Sequence, residues 1–124
     1  ALLDTLGNAP FDLVFGALGD KDVAMMLPPL ADRAGRVILT RPVHTPRALA
    51  PENLAELIDQ PTVIAADPLV ALQQALEQAA PRILVAGSLY LVGEARQALR
   101  RLRGVPAPAA EISTVAPTRR QPDR

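Results

Sequence analysis

The chain has 124 residues, 49% apolar and 21% charged, with a formal net charge of zero. That length fits one domain burying roughly two-thirds of the surface its unfolded form exposes, and zero net charge excludes a global basic footprint for nucleic acid or anionic membrane. The absence of cysteine excludes disulfides and thiolate metal sites and fits a reducing cytoplasm, the expected location. An aromatic content of 2% argues against stacking platforms for single-stranded nucleic acid. No apolar run reaches the ~20 residues of a membrane span, so neither nucleic acid nor membrane is expected as a partner.

Residues 1–7, ALLDTLG, read as the last turns of a helix closed by Gly7. A helix entered in mid-pattern is expected of a piece cut from a longer protein. FDLVFGA (residues 11–17) predicts a strand, followed by helical spacing over 22–33 through Val23, Met26, Leu27 and Leu30. Pro28 and Pro29 inside that pattern predict a kink or break. RVILT (36–40) predicts a second strand and RPVHTPRALA (41–50) a proline-punctuated loop. Pro51 opens a helix with Glu52 in its first turn and Leu54, Leu57 and Ile58 on one face.

TVIAA (62–66) predicts a third strand. Asp67 then caps a helix with Pro68 at its first position, continuing through Leu69, Leu72 and Leu76 to Ala80. RILVAGS (82–88) predicts a fourth strand and 89–103 a long final helix. Its Arg100, Arg101 and Arg103 suit the negative end of the helix dipole, a reading preferred here to nucleic-acid binding. From Gly104 the chain turns to Pro, Ala and polar residues without periodicity, which predicts a Pro/Ala-rich flexible, disordered tail over 104–124 behind one domain over 1–103.

Strands alternating with helices imply right-handed crossovers, and near-continuous apolar strands imply a parallel sheet covered on both faces. The predicted fold class is therefore α/β: a three-layer, Rossmann-like, open and mostly parallel sheet with helices on both faces. Ligands in such folds bind beyond the carboxyl ends of the strands. That rule puts residues 16–22, 40–48 and 86–90 at the functional edge.

The first of these, GALGDKD, holds Lys21, the one lysine among thirteen lysines and arginines. A Walker loop is absent, because Gly16 and Gly19 are too close and Asp22 stands where a hydroxyl is needed. The dinucleotide pattern G-x-G-x-x-G is absent as well. What remains is one ammonium offered to an anionic group from a loop containing Gly19, Asp20 and Asp22. The alternative is a solvated turn in which Asp22 caps the helix. In AGSLY (86–90), Gly87 permits close backbone approach and Ser88 sits at the last helix's N-terminus beside Tyr90, an arrangement suited to a carboxylate. Ser88 also reads as a helix cap, and both roles are compatible. In the loop 40–48, a single histidine, His44, is a poor metal or triad candidate. Arg41 and Arg47 fit planar recognition of carboxylate or phosphate better. With no paired carboxylates, no Ser-His-Asp set and no metal cluster in the pattern, no catalytic residue and no metal ligand is expected.

Taken in order, VFGALGDKDVAMML, LTRPVHTPRALAPENLAEL and ILVAGSLYLVGEAR resemble the C-terminal domain of folylpolyglutamate synthases and bifunctional dihydrofolate synthases, members of the wider Mur ligase group. The resemblance runs over about residues 11–103. It implies a Rossmann-like C-terminal domain, which agrees with the fold read from the pattern. It also implies an ATP- and magnesium-dependent ligase that phosphorylates a folate or dihydropteroate carboxylate and joins it to the amine of L-glutamate. Lys21 and Ser88 fall where related ligases bind the incoming amino acid, and Arg47 falls in a conformationally sensitive loop nearby. The phosphate loop, magnesium ligands and folate-binding segments of such enzymes lie in an N-terminal ATPase domain absent from this sequence, which makes that domain the expected partner. The family's W-P-G-R and D-G-A-H-N-P type motifs are also absent. His44 departs from the family pattern, and no role passes to it. The expectation is thus a ligase domain inactive by itself, with glutamate and folate as small-molecule substrates. The alternative is a stand-alone, non-catalytic module that binds glutamate or a folate. A free-standing enzyme of flavodoxin-like fold is disfavoured by the lack of a nucleophile, base or cofactor loop.

Overall fold

A computed structural model describes residues 10–19, 23–78, 82–102 and 111–115. The expected helix end at 1–7 and the turn residues Asp20, Lys21 and Asp22 lie outside them. Chain order gives β1 (Asp12–Gly16), α1 (Val23–Arg33), β2 (Val37–Leu39), α2 (Pro51–Ala55), β3 (Val63–Ile64), α3 (Pro68–Glu77), β4 (Arg82–Gly87), α4 (Leu89–Leu102) and β5 (Glu111–Val115).

The strands stand in the order β3-β2-β1-β4-β5, and every pairing is parallel. From β1 the chain steps outward to β2 and β3, then returns to the other side of β1 to lay down β4 and β5. The reversal makes the β1/β4 boundary a topological switch point, where open α/β sheets place their binding crevice.

Alternate strand residues face opposite ways, and this divides the core in two. Leu13, Phe15, Leu39, Leu84 and Ala86 pack under Val23, Leu27, Leu30 and Ala31 of α1 and Leu54 of α2. Val14, Ile38, Ile83 and Val85 pack on the other face under Ala71, Leu72 and Ala75 of α3 and Leu91, Ala95 and Ala98 of α4. Two covered faces explain why β1 and β4 read as continuous rather than alternating apolar runs. The expected three-layer α/β fold is therefore present.

The elements depart from the sequence expectation in several places, each with a local reason. α1 runs without interruption through Pro28 and Pro29. The carbonyls these prolines leave without a helical donor belong to Ala24 and Met25, both exposed residues. β3 keeps only two of five expected residues. It is an edge strand with Ile64 exposed, and short edges limit stray pairing. α3 closes at Gln78, earlier than expected, while its start agrees: Asp67 Oδ1 accepts the Val70 N–H at 2.9 Å. The tail from Gly104 holds one element that the sequence pattern does not signal. Five of its residues, EISTV, form β5 and add a parallel strand to β4. Three of the five are β-branched, a strand-forming composition that outweighs the prolines around it. The other tail residues, 104–110 and 116–124, lie outside the described set.

A buried carboxylate at the amino end of β1 fixes the turn from α1 into β2. Asp12 is 7% exposed, and its Oδ1 accepts the Arg36 N–H at 3.0 Å. The Leu13 N–H donates to the Arg36 carbonyl and the Gly35 N–H to that of Phe11, each at 2.8 Å. Asp12→Ala, which orphans the Arg36 N–H, is expected to lower unfolding free energy by about 1–3 kcal/mol. Asp12→Asn, which keeps an acceptor, should retain most of it. Urea denaturation of the three proteins makes the comparison.

Candidate functional site at the carboxyl edge of the sheet

Three strand ends meet by backbone contact at the switch point. Gly16 and Gly87 are register partners at the ends of β1 and β4. Gly87 has φ +131°, and a Cβ placed on it would lie 1.8 Å from the Gly16 carbonyl oxygen. A Cβ on Gly16 would in turn lie 2.8 Å from the carbonyl oxygen of Thr40, at the end of β2. Only glycine fits at position 87, because both the backbone conformation and the space forbid a side chain.

Ser88 follows at once and is buried. Its Oγ accepts the Leu91 N–H at 3.0 Å, and its carbonyl accepts the Val92 N–H, also at 3.0 Å. The expected cap on α4 is therefore formed. The hydroxyl proton remains available to a ligand oxygen, because a hydroxyl accepts and donates at once. Helical geometry also leaves the N–H groups of Leu89 and Tyr90 beyond the reach of any intrahelical carbonyl. Tyr90 itself is half-exposed at the rim.

The loop between β2 and α2 crosses this edge. Its far end pairs with the loop after β1: Gly19 N–H donates to the Arg47 carbonyl at 3.0 Å, Leu49 N–H to that of Ala17 at 2.8 Å, and Leu18 bridges Ala48 in antiparallel fashion. The Arg47 N–H donates to Thr45 Oγ1 at 3.2 Å, while Arg41 and Arg47 are exposed. Gly19, Gly87, Ser88, Tyr90 and Arg47 thus stand on adjoining segments of one sheet edge. Lys21, Asp20 and Asp22 follow Gly19 in sequence and lie outside the described residues.

Sequence reasoning missed two residues. Thr40 is fully buried at the end of β2, and its Oγ1 has no hydrogen-bond partner among the described residues. Glu94 of α4 reaches back to the loop, where Oε1 accepts the Val43 N–H at 2.7 Å and Oε2 the His44 N–H at 2.9 Å. The latter contacts join residues about fifty apart, and no local pattern signals them. His44 Nδ1 lies 3.7 Å from Glu94 Oε2, so this histidine has a structural neighbour. A cavity of about 210 Å³ opens beside this contact, lined among others by Val43, His44, Asp67, Glu94 and Arg101. Its wall includes neither Ser88 nor Arg47. Among the described residues no group of three or more His, Asp or Glu side chains could hold a metal ion. No described helix is long and apolar enough to cross a membrane.

An all-parallel, doubly wound sheet with a glycine-tight switch point and a helix N-terminus on its edge defines a Rossmann-like domain. Residues 1–89 match the family model described as "Mur ligase, glutamate ligase domain", and the chain belongs to that family of ATP-dependent ligases, as its C-terminal domain. No curated protein and no solved structure gives a significant match.

Gly87→Ala is expected to abolish stable folding, at a cost of more than about 4 kcal/mol, because backbone strain and a backbone clash add at one position. Far-UV circular dichroism and thermal melting read this directly, and a variant melting within a few degrees of the parent would refute the close approach.

Proposed function

We propose that this chain is the amino-acid-binding domain of an ATP-dependent folate ligase, of the folylpolyglutamate or dihydrofolate synthase kind. Its membership of the Mur ligase family carries the reading. The three stretches around Lys21, Arg47 and Ser88, in the order of the folate enzymes, narrow it to glutamate and a folate or dihydropteroate.

The chemistry is amide formation. ATP, held by a separate ATPase domain, supplies the phosphoryl group that makes the folate carboxylate an acyl phosphate. The glutamate nitrogen forms the new C–N bond as the C–O bond to phosphate breaks. Phosphate leaves with that electron pair, and the nitrogen gives up a proton. The task left to this chain is to hold glutamate by its carboxylates and keep its amine free. The Ser88 hydroxyl and the first N–H groups of α4 offer donors to one carboxylate. The Lys21 ammonium and the Arg47 guanidinium offer charge to the other. Donors fixed before the reaction lose little entropy when the amine is aligned, which is where such a site gains rate.

ATP turnover by the ligase containing this chain tests the reading. ADP release should require both a folate or dihydropteroate acceptor and L-glutamate. Lys21→Ala should raise the Michaelis constant for glutamate roughly tenfold or more, the effect of one lost charge-assisted contact. The constant for ATP should barely move. An unchanged glutamate constant would sink the role of Lys21. Glutamate binding by the chain with no turnover alongside any ATPase domain would favour a non-catalytic binding module.

A further inference from the structure

We infer that Glu94 is a positioning residue that clamps the β2–α2 loop across the carboxyl edge and so fixes Arg41 and Arg47 for the incoming substrate. The inference rests on the proposed binding of that substrate at this edge.

Two anchors on opposite sides of the sheet carry the argument. At residues 47–49 the loop is tied to residues 17–19, and Leu49 and Ala17 belong to the core under α1 and α2. At residues 43–44 it is tied to Glu94, on the helix whose Leu91, Ala95 and Ala98 pack in the opposite core. The segment therefore straps over the end of the sheet from one helical layer to the other. Arg47 stands exposed within the 47–49 anchor, and Arg41 stands exposed just before the 43–44 anchor.

The Glu94 anchor is built for this task. Its side chain is only 10% exposed, and each carboxylate oxygen accepts one of two consecutive backbone N–H groups, at 2.7 and 2.9 Å. Bonds of that length to an ionised acceptor are the stronger kind. A loop of prolines and exposed side chains has no ladder of its own to satisfy those donors, and among the described residues Glu94 accepts both. Pro42, just before the clamped pair, is buried and removes one more freedom from the strap. Glu94 lies six residues after Ser88 on α4, so the element that presents the hydroxyl also holds the arginine loop.

Two measurements test this. Amide hydrogen exchange, followed by NMR on the 124-residue chain, reads the clamp. In Glu94→Ala, Val43 and His44 should exchange roughly tenfold faster or more, with the sheet amides of Thr40 and Ala65 unchanged. Glu94→Gln keeps the shape and one acceptor oxygen, so it gives a smaller rise and serves where the alanine variant fails to fold. Unchanged rates at Val43 and His44 in both variants overturn the clamp. In the ligase, Glu94→Gln should raise the Michaelis constant for L-glutamate roughly fivefold and leave that for ATP within about twofold. Equal shifts in both constants, or none, overturn the positioning role. A wild-type ligase that needs no L-glutamate for ATP turnover overturns the proposed function and the positioning role with it, while the exchange rates still decide whether the clamp exists.

Discussion

The contact between two peptide backbones at Gly16 and Gly87 sets the geometry of everything at the carboxyl edge. Parallel strands pair with even spacing along their length, yet here β1 and β4 close so tightly at their last residues that no side chain fits at position 87. The same closeness extends to β2 through the Thr40 carbonyl. Three strands end at one level, and three loops leave from points fixed by main-chain atoms rather than by side-chain packing. Such points are stiff, since the atoms that define them have no rotamers to change. The short passage from Gly87 through Ser88 into α4 then leaves the helix N-terminus no freedom to wander from the switch point.

Above that level the hydrogen bonds follow one logic. The N–H groups of Gly19, Val43, His44, Arg47 and Leu49 all find acceptors within the edge itself. Backbone donors so engaged hold the loops in shape, and the long basic side chains are left exposed on top. A binding edge for an anion asks for this division, with a preorganised main chain beneath and charge free to meet the ligand. Thr40 stands apart. Its buried hydroxyl has no partner among the described residues, and a buried unpaired hydroxyl costs free energy.

The fold was legible because its signals are local. Apolar runs of strand length, Asp67 before Pro68, and an arginine-rich helix end each report on their own neighbourhood, and together they specify layers and order. Gly87 and Ser88 were legible for the same reason, since a strand-to-helix turn needs a flexible residue and then a cap. Additions came where context overrode the local signal. Pro28 and Pro29 would break an isolated helix, yet α1 continues through them, and Ala24 and Met25, whose carbonyls they free, are exposed. EISTV reads as tail when weighed with its prolines and as strand once β4 offers an unpaired edge. Glu94 was illegible in principle, because in sequence it is one more charge on a helix surface. Only the fold brings it to amides fifty positions earlier.

On the proposed function, the poverty of this chain in acid–base chemistry becomes intelligible. An amine meeting an already activated acyl group needs direction more than it needs a nucleophilic or metal-bearing partner. A helix N-terminus, one hydroxyl and a few cations can direct a dicarboxylate without touching its nitrogen. Cations serve best when their distances to both carboxylates are set in advance, which backbone-fixed loops achieve and mobile ones do not. The strap held by Glu94 and the glycine contact beneath it are then two halves of one device: the first sets where the arginines stand, the second where α4 begins, and the ligand spans the gap that both define.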